Sequence, residues 1–273
     1  MSATPTPRNR KITTEALRRM KAKGVKISAL TAYDHWMAAL LDEAGVDVIL
    51  VGDSVATVVQ GVDSTVTVKL EHMLYHASIV SGAAERALVI GDLPFMTFQV
   101  NSDEALRNAG RMVQESGVEA VKLEGGEKVA PTVERIVDAG IPVMGHVGLT
   151  PQSIHKFGTY RVRATSEDEA EEVRRGARAL QDAGAFAVVV EKVPATLGKE
   201  LADDLEIPVI GIGAGPHCDG QILVSHDMLG LYTRFHPRFV RRYAALGESM
   251  LDAFQRYVGD VRSSEFPSDD ESY

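Results

Sequence analysis

Three stretches of the sequence decide the fold: residues 47–54 read DVILVGDS, residues 88–94 read LVIGDLP, and residues 120–126 read AVKLEGG. Each is an apolar run that ends in a carboxylate, Asp53, Asp92 or Glu124, where the run gives way to Gly, Ser or Pro. Apolar runs of this length suit strands that are covered on both faces of a parallel sheet. The carboxyl ends of parallel strands share one edge, so the three carboxylates are predicted to converge at one mouth of a barrel or sheet.

Similar apolar runs recur along the chain and give eight predicted strands. Helical patterns separate most of them, and several close with EAG, ESG or DAG, which places a glycine at the end of a helix just before the next strand. The predicted strands lie at 26–32, 47–52, 88–93, 120–124, 142–147, 186–193, 208–213 and 222–226, and the predicted helices at 13–24, 35–45, 70–83, 102–117, 130–140 and 166–184.

This alternation predicts an α/β fold, a (β/α)8 TIM barrel with an extra N-terminal helix before the first strand. An open doubly wound sheet is the alternative. The 273 residues suit one barrel, which typically takes ~250 residues. No Pro/Ser/Gly-rich linker interrupts the chain, so we expect a single domain over 1–273 with short polar tails at about 1–10 and 263–273.

Two stretches fit the barrel pattern less well. The seventh and eighth strands are separated only by PHCDGQ, whereas a crossover between parallel strands usually needs a dozen residues or more. Either the seventh crossover is abbreviated, or one of these two runs is not a barrel strand. Residues 55–70, after the second strand, indicate an elaborated loop rather than a helix.

The composition narrows the classes of function and location. The net charge is −9 and no basic stripe with interleaved aromatics is present, which argues against nucleic acid as a partner. No run of about 18 apolar residues is found, so no membrane span is predicted. The N-terminal MSATPTPRNRK has no apolar signal segment. Cys218 is the only cysteine, which excludes an intramolecular disulfide and favours a cytoplasmic location.

The three strand-end carboxylates point to a divalent cation. Singly, Asp53 and Asp92 also fit as caps of turns. Together, buried carboxylates are costly to desolvate without a partner, and a hard cation bound through oxygen supplies one. Oxygen ligands without a His/Cys cluster favour Mg2+ over Zn2+. We expect two of the three carboxylates to contact the metal directly and the third to orient a water molecule.

Lys122 lies two residues before Glu124, so the two side chains are predicted to face the same side of their strand. One interpretation is that Lys122 simply forms an ion pair with Glu124. Binding of an anionic substrate by the ammonium group is the reading favoured beside a metal. A Schiff-base lysine is a further possibility.

Two more strand ends carry chemistry. His146, in VMGHVGLTPQS, is predicted to face the barrel mouth and to bond a substrate carboxylate or carbonyl. Glu191, in VVVEKVP, lies among valines. Adjacent residues of a strand point to opposite faces, which argues against an ion pair with Lys192 and leaves Glu191 as a candidate general base or acid.

The last third of the chain carries weaker signals. The turn GIGAG, at 211–215, resembles a phosphate-binding loop, but its glycines serve equally for close packing. His226 and Asp227 are interpreted as structural. Cys218 lacks an obvious base nearby and is interpreted as a buried or loop thiol.

Several long segments closely resemble the ketopantoate hydroxymethyltransferase family, and the resemblance runs from about residue 11 to 267. They are LTAYD (30–34), ILVGDSVATVVQG (49–61), DLPFMTF (92–98), VKLEGG (121–126), IPVMGHVGLTPQS (141–153) and IPVIGIGAGPHCDGQILVSHDMLGL (207–231).

The resemblance implies a (β/α)8 barrel of the phosphoenolpyruvate mutase and isocitrate lyase type. It implies transfer of a hydroxymethyl group from 5,10-methylenetetrahydrofolate, or a related pterin, to 3-methyl-2-oxobutanoate through a metal-stabilised enolate. The product would be 2-dehydropantoate, on the route to pantothenate and coenzyme A. It also implies one Mg2+ per subunit and a large homo-oligomer, often a decamer.

The same resemblance assigns roles to residues. Glu191 matches the proposed catalytic base of the family. Metal contacts fall on Asp53, Asp92 and Glu124, with Glu124 as the least direct, and substrate contacts fall on Asp53, Ser54, Asp92, Lys122 and His146. The chain departs from the family pattern at Thr159, at Arg163 and at Lys192 of VEKVP. The first two departures lie on a predicted mouth loop and leave the cosubstrate contacts open.

Two other classes of function remain in view. A lyase or mutase of the same barrel type would use the same metal and enolate, but Cys218 is poorly placed for the loop cysteine that such enzymes commonly carry. A non-enzymatic 2-oxo acid sensor would not need Glu191.

Overall fold

The computed structural model describes residues 10–231 and 237–273. Its centre is a closed barrel of eight parallel strands, in which each strand pairs with the next along the chain and the eighth pairs with the first. The strands are β1 (Ile27–Thr31), β2 (Val48–Val51), β3 (Leu88–Asp92), β4 (Ala120–Glu124), β5 (Val143–Gly148), β6 (Ala187–Glu191), β7 (Val209–Ile212) and β8 (Gly220–Leu223).

Helices alternate with the strands along most of the chain. They are α1 (Thr14–Ala22), α2 (His35–Glu43), α3 (Val55–Val58), α4 (Leu70–Ser81), α5 (Ser102–Ser116), α6 (Ala130–Asp138), α7 (Ile154–Phe157), α8 (Glu167–Asp182), α9 (Ala195–Asp204), α10 (Ser225–Met228) and α11 (Leu246–Ser263). Short 3-10 turns lie at Thr65–Thr67, Glu127–Val129, Pro151–Ser153 and Asp269–Glu271.

The predicted (β/α)8 barrel with an extra N-terminal helix is confirmed, and the open doubly wound sheet is excluded by the β1–β8 pairing.

Capping residues explain where two of the helices begin and end. Thr13 accepts the Ala16 N–H at the start of α1, and Gly117 adopts a left-handed φ of 75° after α5, a conformation that glycine reaches without a Cβ penalty.

The seventh crossover is abbreviated, which settles one of the two ambiguous stretches. No helix lies between β7 and β8 in this described part of the chain. The predicted eighth strand, at 222–226, was placed too late, since β8 covers Gly220–Leu223. His226 and Asp227 therefore lie in α10 and not at a strand end. The sequence interpretation also missed α9 and α11, and it placed only a loop where α3 begins.

The barrel interior changes from apolar to polar along its axis. Inward positions alternate along each strand, so Leu88 and Ile90 are followed inside by Asp92, and Ala120 is followed by Lys122 and then Glu124. Leu17 of α1 belongs to the apolar cluster of the interior. The polar side chains therefore lie above closely packed apolar layers, at the carboxyl ends of the strands, where (β/α)8 barrels carry their active sites.

The chain divides into two compact units, Met1–Leu223 and Val224–Tyr273. The first contains the barrel. The second contains α10 and α11, and α11 has no buried residue. The predicted N-terminal tail lies almost wholly outside the described residues, and the prediction of one domain over 1–273 stays a prediction. Among the described residues, no helix combines the length and hydropathy needed to cross a bilayer.

Candidate active site

An ion pair between neighbouring strands forms the floor of the site. Asp92 of β3 and Lys122 of β4 are register partners, so both side chains point into the barrel. The Lys122 Nζ donates to both carboxylate oxygens of Asp92, at 2.8 Å each, and both side chains are buried. Burial opposes the charge of Lys122, but Asp92, Glu124 and Asp53 outweigh it and raise the lysine pKa.

The His146 ring lies between the carboxylates of Glu124 and Glu191. Its Nδ1 lies 3.4 Å from Glu124 Oε1, and its Nε2 lies 3.4 Å from Glu191 Oε2. Both are ion-pair distances, longer than a good hydrogen bond. Burial and Lys122 oppose protonation of the ring, but Glu124 and Glu191 raise the His146 pKa to about 9. His146 is therefore an imidazolium at neutral pH.

The three carboxylates differ in how well they are compensated. Burial raises the pKa of Glu124, but His146, Lys122 and a backbone N–H outweigh burial and hold that pKa below its usual range. Burial raises the Asp92 pKa even against Lys122. Burial, Asp92 and Glu124 together raise the Asp53 pKa well above its ordinary value.

Asp53 is thus the carboxylate that lacks a cation. Within 10–231 and 237–273, no Lys, Arg or His lies at ion-pair distance from it, and its Oδ2 accepts only an amide hydrogen from Gln152 Nε2, at 3.1 Å. An oxygen-only donor set with an uncompensated negative charge fits a hard divalent cation. No three His, Cys, Asp or Glu side chains of the described residues converge closely enough to hold a metal between them. Mg2+ usually keeps several water molecules and borrows substrate oxygens, so one or two carboxylates are enough to hold it in a protein.

Ser54 and Glu191 are the remaining predicted site residues, and each has one polar partner near the cluster. The Ser54 Oγ lies 2.7 Å from the Tyr33 hydroxyl oxygen, and Tyr33 is buried. Glu191 ends β6, and 14% of its side chain is exposed at the barrel mouth. The barrel thus brings Asp53, Ser54, Asp92, Lys122, Glu124, His146 and Glu191 to one end, as the sequence predicts.

Three further residues lie near the cluster and were not predicted from the sequence. Gln152 contacts two of the carboxylates. Tyr33 bonds Ser54. The Tyr160 phenol has a pKa raised by burial and by Asp53, Glu191 and Glu124, which places it close to the same charges. Gln152 and Tyr33 lie inside the segments LTPQS and LTAYD, so the family resemblance was the available signal for them.

The predicted mouth loop is tied to the end of β6. The Lys192 ammonium donates to the Tyr160 carbonyl, and the Lys192 carbonyl accepts the Arg163 N–H at 2.8 Å. The Arg163 guanidinium lies 4.2 Å from the centre of the Phe157 ring and 2.7 Å from Glu169 Oε1. Two positions that depart from the family pattern, Arg163 and Lys192, thus fasten the loop that carries Tyr160.

The GIGAG turn shows the contacts expected of close packing. A Cβ added at Gly211 would lie 2.9 Å from the Cys218 sulfur, and Gly213 and Gly215 adopt left-handed φ angles of 63° and 83°. Cys218 is buried, and burial and Asp219 raise its pKa, which makes it a poor nucleophile. The interpretation of Cys218 as a buried thiol is confirmed.

Solved structures with the same architecture define the class of fold. The chain aligns with phosphonopyruvate hydrolase in complex with oxalate and Mg2+, with a TM-score of 0.62, 14% identity, and coverage of 94% of this chain and 92% of that one. It aligns with 2,3-dimethylmalate lyase with a TM-score of 0.58, 18% identity, and coverage of 95% and 91%. The chain therefore shares its barrel fold with these proteins, of which 2,3-dimethylmalate lyase is described as a member of the PEP mutase/isocitrate lyase superfamily.

Sequence relatives define the family within that class. The model of the family "Ketopantoate hydroxymethyltransferase" matches residues 11–269. The 3-methyl-2-oxobutanoate hydroxymethyltransferase of Prosthecochloris aestuarii is 56% identical over 96% of both chains, and that of Parabacteroides distasonis is 54% identical over 100% of both. The chain belongs to the ketopantoate hydroxymethyltransferase family and is an enzyme that acts on small molecules.

The uncompensated charge at Asp53 predicts that Asp53→Asn stabilises the metal-free protein. An asparagine keeps the hydrogen bond to Gln152 but removes the buried charge that Asp92 and Glu124 repel. We expect the unfolding temperature in EDTA at pH 7 to rise by about 2–4 °C, equivalent to about 1 kcal/mol. Asp92→Asn is the matched control, and it should lower that temperature because it breaks the buried ion pair with Lys122. Equal losses in both variants would contradict this account.

The raised His146 pKa predicts a pH-dependent contribution to stability. Since the folded pKa, about 9, exceeds the unfolded value near 6.5, the contribution is full below about pH 6.5 and is lost as the pH rises through about 9. We expect the difference in unfolding temperature between wild type and His146→Gln to shrink from pH 6 to pH 10. The exposed His155, replaced by Gln, serves as control. A difference that stays constant with pH would refute the imidazolium assignment.

Proposed function

We propose that this enzyme transfers a hydroxymethyl group from 5,10-methylenetetrahydrofolate, or a related pterin, to C3 of 3-methyl-2-oxobutanoate, giving 2-dehydropantoate for pantothenate and coenzyme A synthesis. The family membership supports the substrate and product. The one-carbon donor follows from the family resemblance, and the route through an enolate rests on the chemistry of the site.

One Mg2+ per subunit would be held by Asp53 and Asp92, with Glu124 acting through a water molecule. The uncompensated Asp53 carboxylate supports this assignment. When bound, the ion supplies a Lewis acid that polarises the 2-oxo group of the substrate. A fold neighbour, phosphonopyruvate hydrolase, has been crystallised with Mg2+ and oxalate, a small dicarboxylate.

Three side chains of the cluster would bind and orient the 2-oxo acid. Lys122 offers a buried positive charge to the substrate carboxylate, although two of its hydrogen bonds already go to Asp92. The Ser54 hydroxyl donates a hydrogen bond, with Tyr33 fixing its orientation. His146 supplies a second positive charge near the oxygen on which negative charge develops.

Glu191 would be the general base. Its carboxylate takes the proton from C3 and leaves an enolate, whose C3 then attacks the methylene carbon of the pterin. One C–N bond of the methylene carbon breaks as the new C–C bond forms, and water then replaces the second pterin nitrogen to give the hydroxyl group. The two released nitrogens take up the C3 proton and a proton of that water, which leaves tetrahydrofolate. The observation that carries this assignment is the position of Glu191, 3.4 Å from His146 at the mouth that also holds Asp53, Asp92 and Lys122.

Assembly and location complete the proposal. A homo-oligomer, with a decamer as the expected form, follows from the family resemblance. The cytoplasm is the expected compartment, because the single cysteine suits a reducing environment.

Proton exchange in D2O tests the function. With 3-methyl-2-oxobutanoate and Mg2+ alone, we expect loss of the C3 proton signal in the NMR spectrum, because Glu191 exchanges that proton with solvent. With 5,10-methylenetetrahydrofolate added, we expect 2-dehydropantoate to accumulate. Exchange of the C3 proton without formation of 2-dehydropantoate in the presence of the pterin would contradict the transferase activity. It would favour an enolate-forming lyase or mutase instead.

The Glu191→Gln variant tests the base in the same assay. We expect it to bind Mg2+ and substrate as wild type does but to lose C3 exchange by at least a hundredfold, the lower range for a general base. Glu200→Gln, on α9 and paired with Arg174, is the matched control and should exchange normally. Normal exchange by Glu191→Gln would remove Glu191 from the mechanism.

A further inference from the structure

Gln152 makes an unusual set of contacts for a side chain outside the predicted site. It lies in the 3-10 turn Pro151–Ser153 after β5 and is only 4% exposed. Its backbone N–H donates to Glu124 Oε2 at 2.9 Å. Its side-chain Nε2 donates to Asp53 Oδ2 at 3.1 Å and to the Leu93 carbonyl at 3.0 Å. One residue thus holds two carboxylates, Asp53 just after β2 and Glu124 at the end of β4.

Backbone groups at both ends fix the direction of the Gln152 amide. The Phe98 N–H can only donate, and it faces Gln99 Oε1 at 3.4 Å. Gln99 Nε2 then donates to Gln152 Oε1 at 3.3 Å. At the other end, the Leu93 carbonyl can only accept, so the Gln152 amino group must face it. Because the amide cannot turn over without breaking these bonds, its donor is held against Asp53.

This fixed donor bears on the geometry of Asp53. It orients the carboxylate through Oδ2, which leaves Oδ1 as the more available oxygen. A hydrogen bond of this kind, made to a ligand rather than to the ion, holds the carboxylate in the direction that a metal ion requires.

We propose that Gln152 is a positioning residue of the divalent-metal site, which sets the orientation of Asp53 through its side chain and of Glu124 through its backbone. The proposal rests on the proposed function, since it assumes that Mg2+ binds at Asp53 and Asp92. Gln152 itself does not contact the metal or the substrate. It acts on the geometry of the carboxylates that do.

The simplest competing reading is that Gln152 only fills space and satisfies buried backbone groups. Gln152→Met separates the two readings, because methionine has a similar volume and flexibility but no amide. The variant retains the backbone N–H to Glu124, so any effect comes from the side chain and Asp53.

Calorimetric titration of the full-length protein with Mg2+, in the absence of substrate, is the decisive test. We expect Gln152→Met to bind Mg2+ about tenfold more weakly than wild type, the lower range for loss of an outer-shell partner. Gln60→Met is the matched control, because Gln60 is an exposed glutamine that bonds His72, and its Mg2+ affinity should be unchanged. Circular dichroism in EDTA confirms that each variant is folded before titration.

Each outcome decides the question. A folded Gln152→Met with wild-type affinity for Mg2+ overturns the proposal. If Gln152→Met does not fold, Gln152→Asn takes its place. The shorter side chain keeps an amide but withdraws its donor from Asp53, so a loss of about tenfold in Mg2+ affinity supports the proposal and an unchanged affinity overturns it. A wild-type protein that takes up no Mg2+ overturns the proposed metal site itself, before any variant is compared.

Discussion

The contact between Lys122 and Asp92 is the one on which the active site depends. Three carboxylates are buried at the end of an apolar barrel, where isolated charges are strongly disfavoured. Lys122 offsets Asp92 directly, at 2.8 Å from both oxygens, and His146 offsets Glu124 at 3.4 Å. Two cations for three carboxylates leave Asp53 unmatched. This lack of one positive charge makes the site suited to a metal ion. It also lowers the free energy of unfolding of the metal-free protein.

The barrel makes this arrangement possible because it is rigid below the site. Inward positions carry Leu88 and Ile90 on β3 and Ala120 on β4, which pack against one another beneath the charged layer. Strand pairing then places Asp92 beside Lys122 and Glu124 beside His146 without any loop contribution. The loop after β5 adds Gln152 to the cluster, and the loop before α8 adds Tyr160.

The strand-borne part of the site could be predicted from the sequence, because a period of two fixes which residues face inward. The period of two places Lys122 and Glu124 on one face, and the ends of the predicted strands locate Asp92, His146 and Glu191, whereas most of their roles follow from the family resemblance. Gln152 could not be derived from it, because its role depends on how a 3-10 turn folds back over neighbouring strands. Strand β8 was placed too late because Gly220 and Gln221 precede the apolar run that begins at Ile222, yet both residues pair with β1. Helix α11 was missed because its apolar face is not attached to any strand pattern.

The proposed Mg2+ would supply the positive charge that no side chain of the described residues provides to Asp53 at ion-pair distance. Calorimetric titration of the metal-free enzyme with Mg2+, repeated in buffers of different ionisation enthalpy, measures the protons released on binding. Coordination requires the ionised carboxylate, and the Asp53 pKa is raised in the metal-free state, so binding should release protons, in an amount that grows as the pH is lowered toward that pKa. A binding heat that is the same in every buffer and at every pH, or equal proton release by Asp53→Asn, would contradict the account.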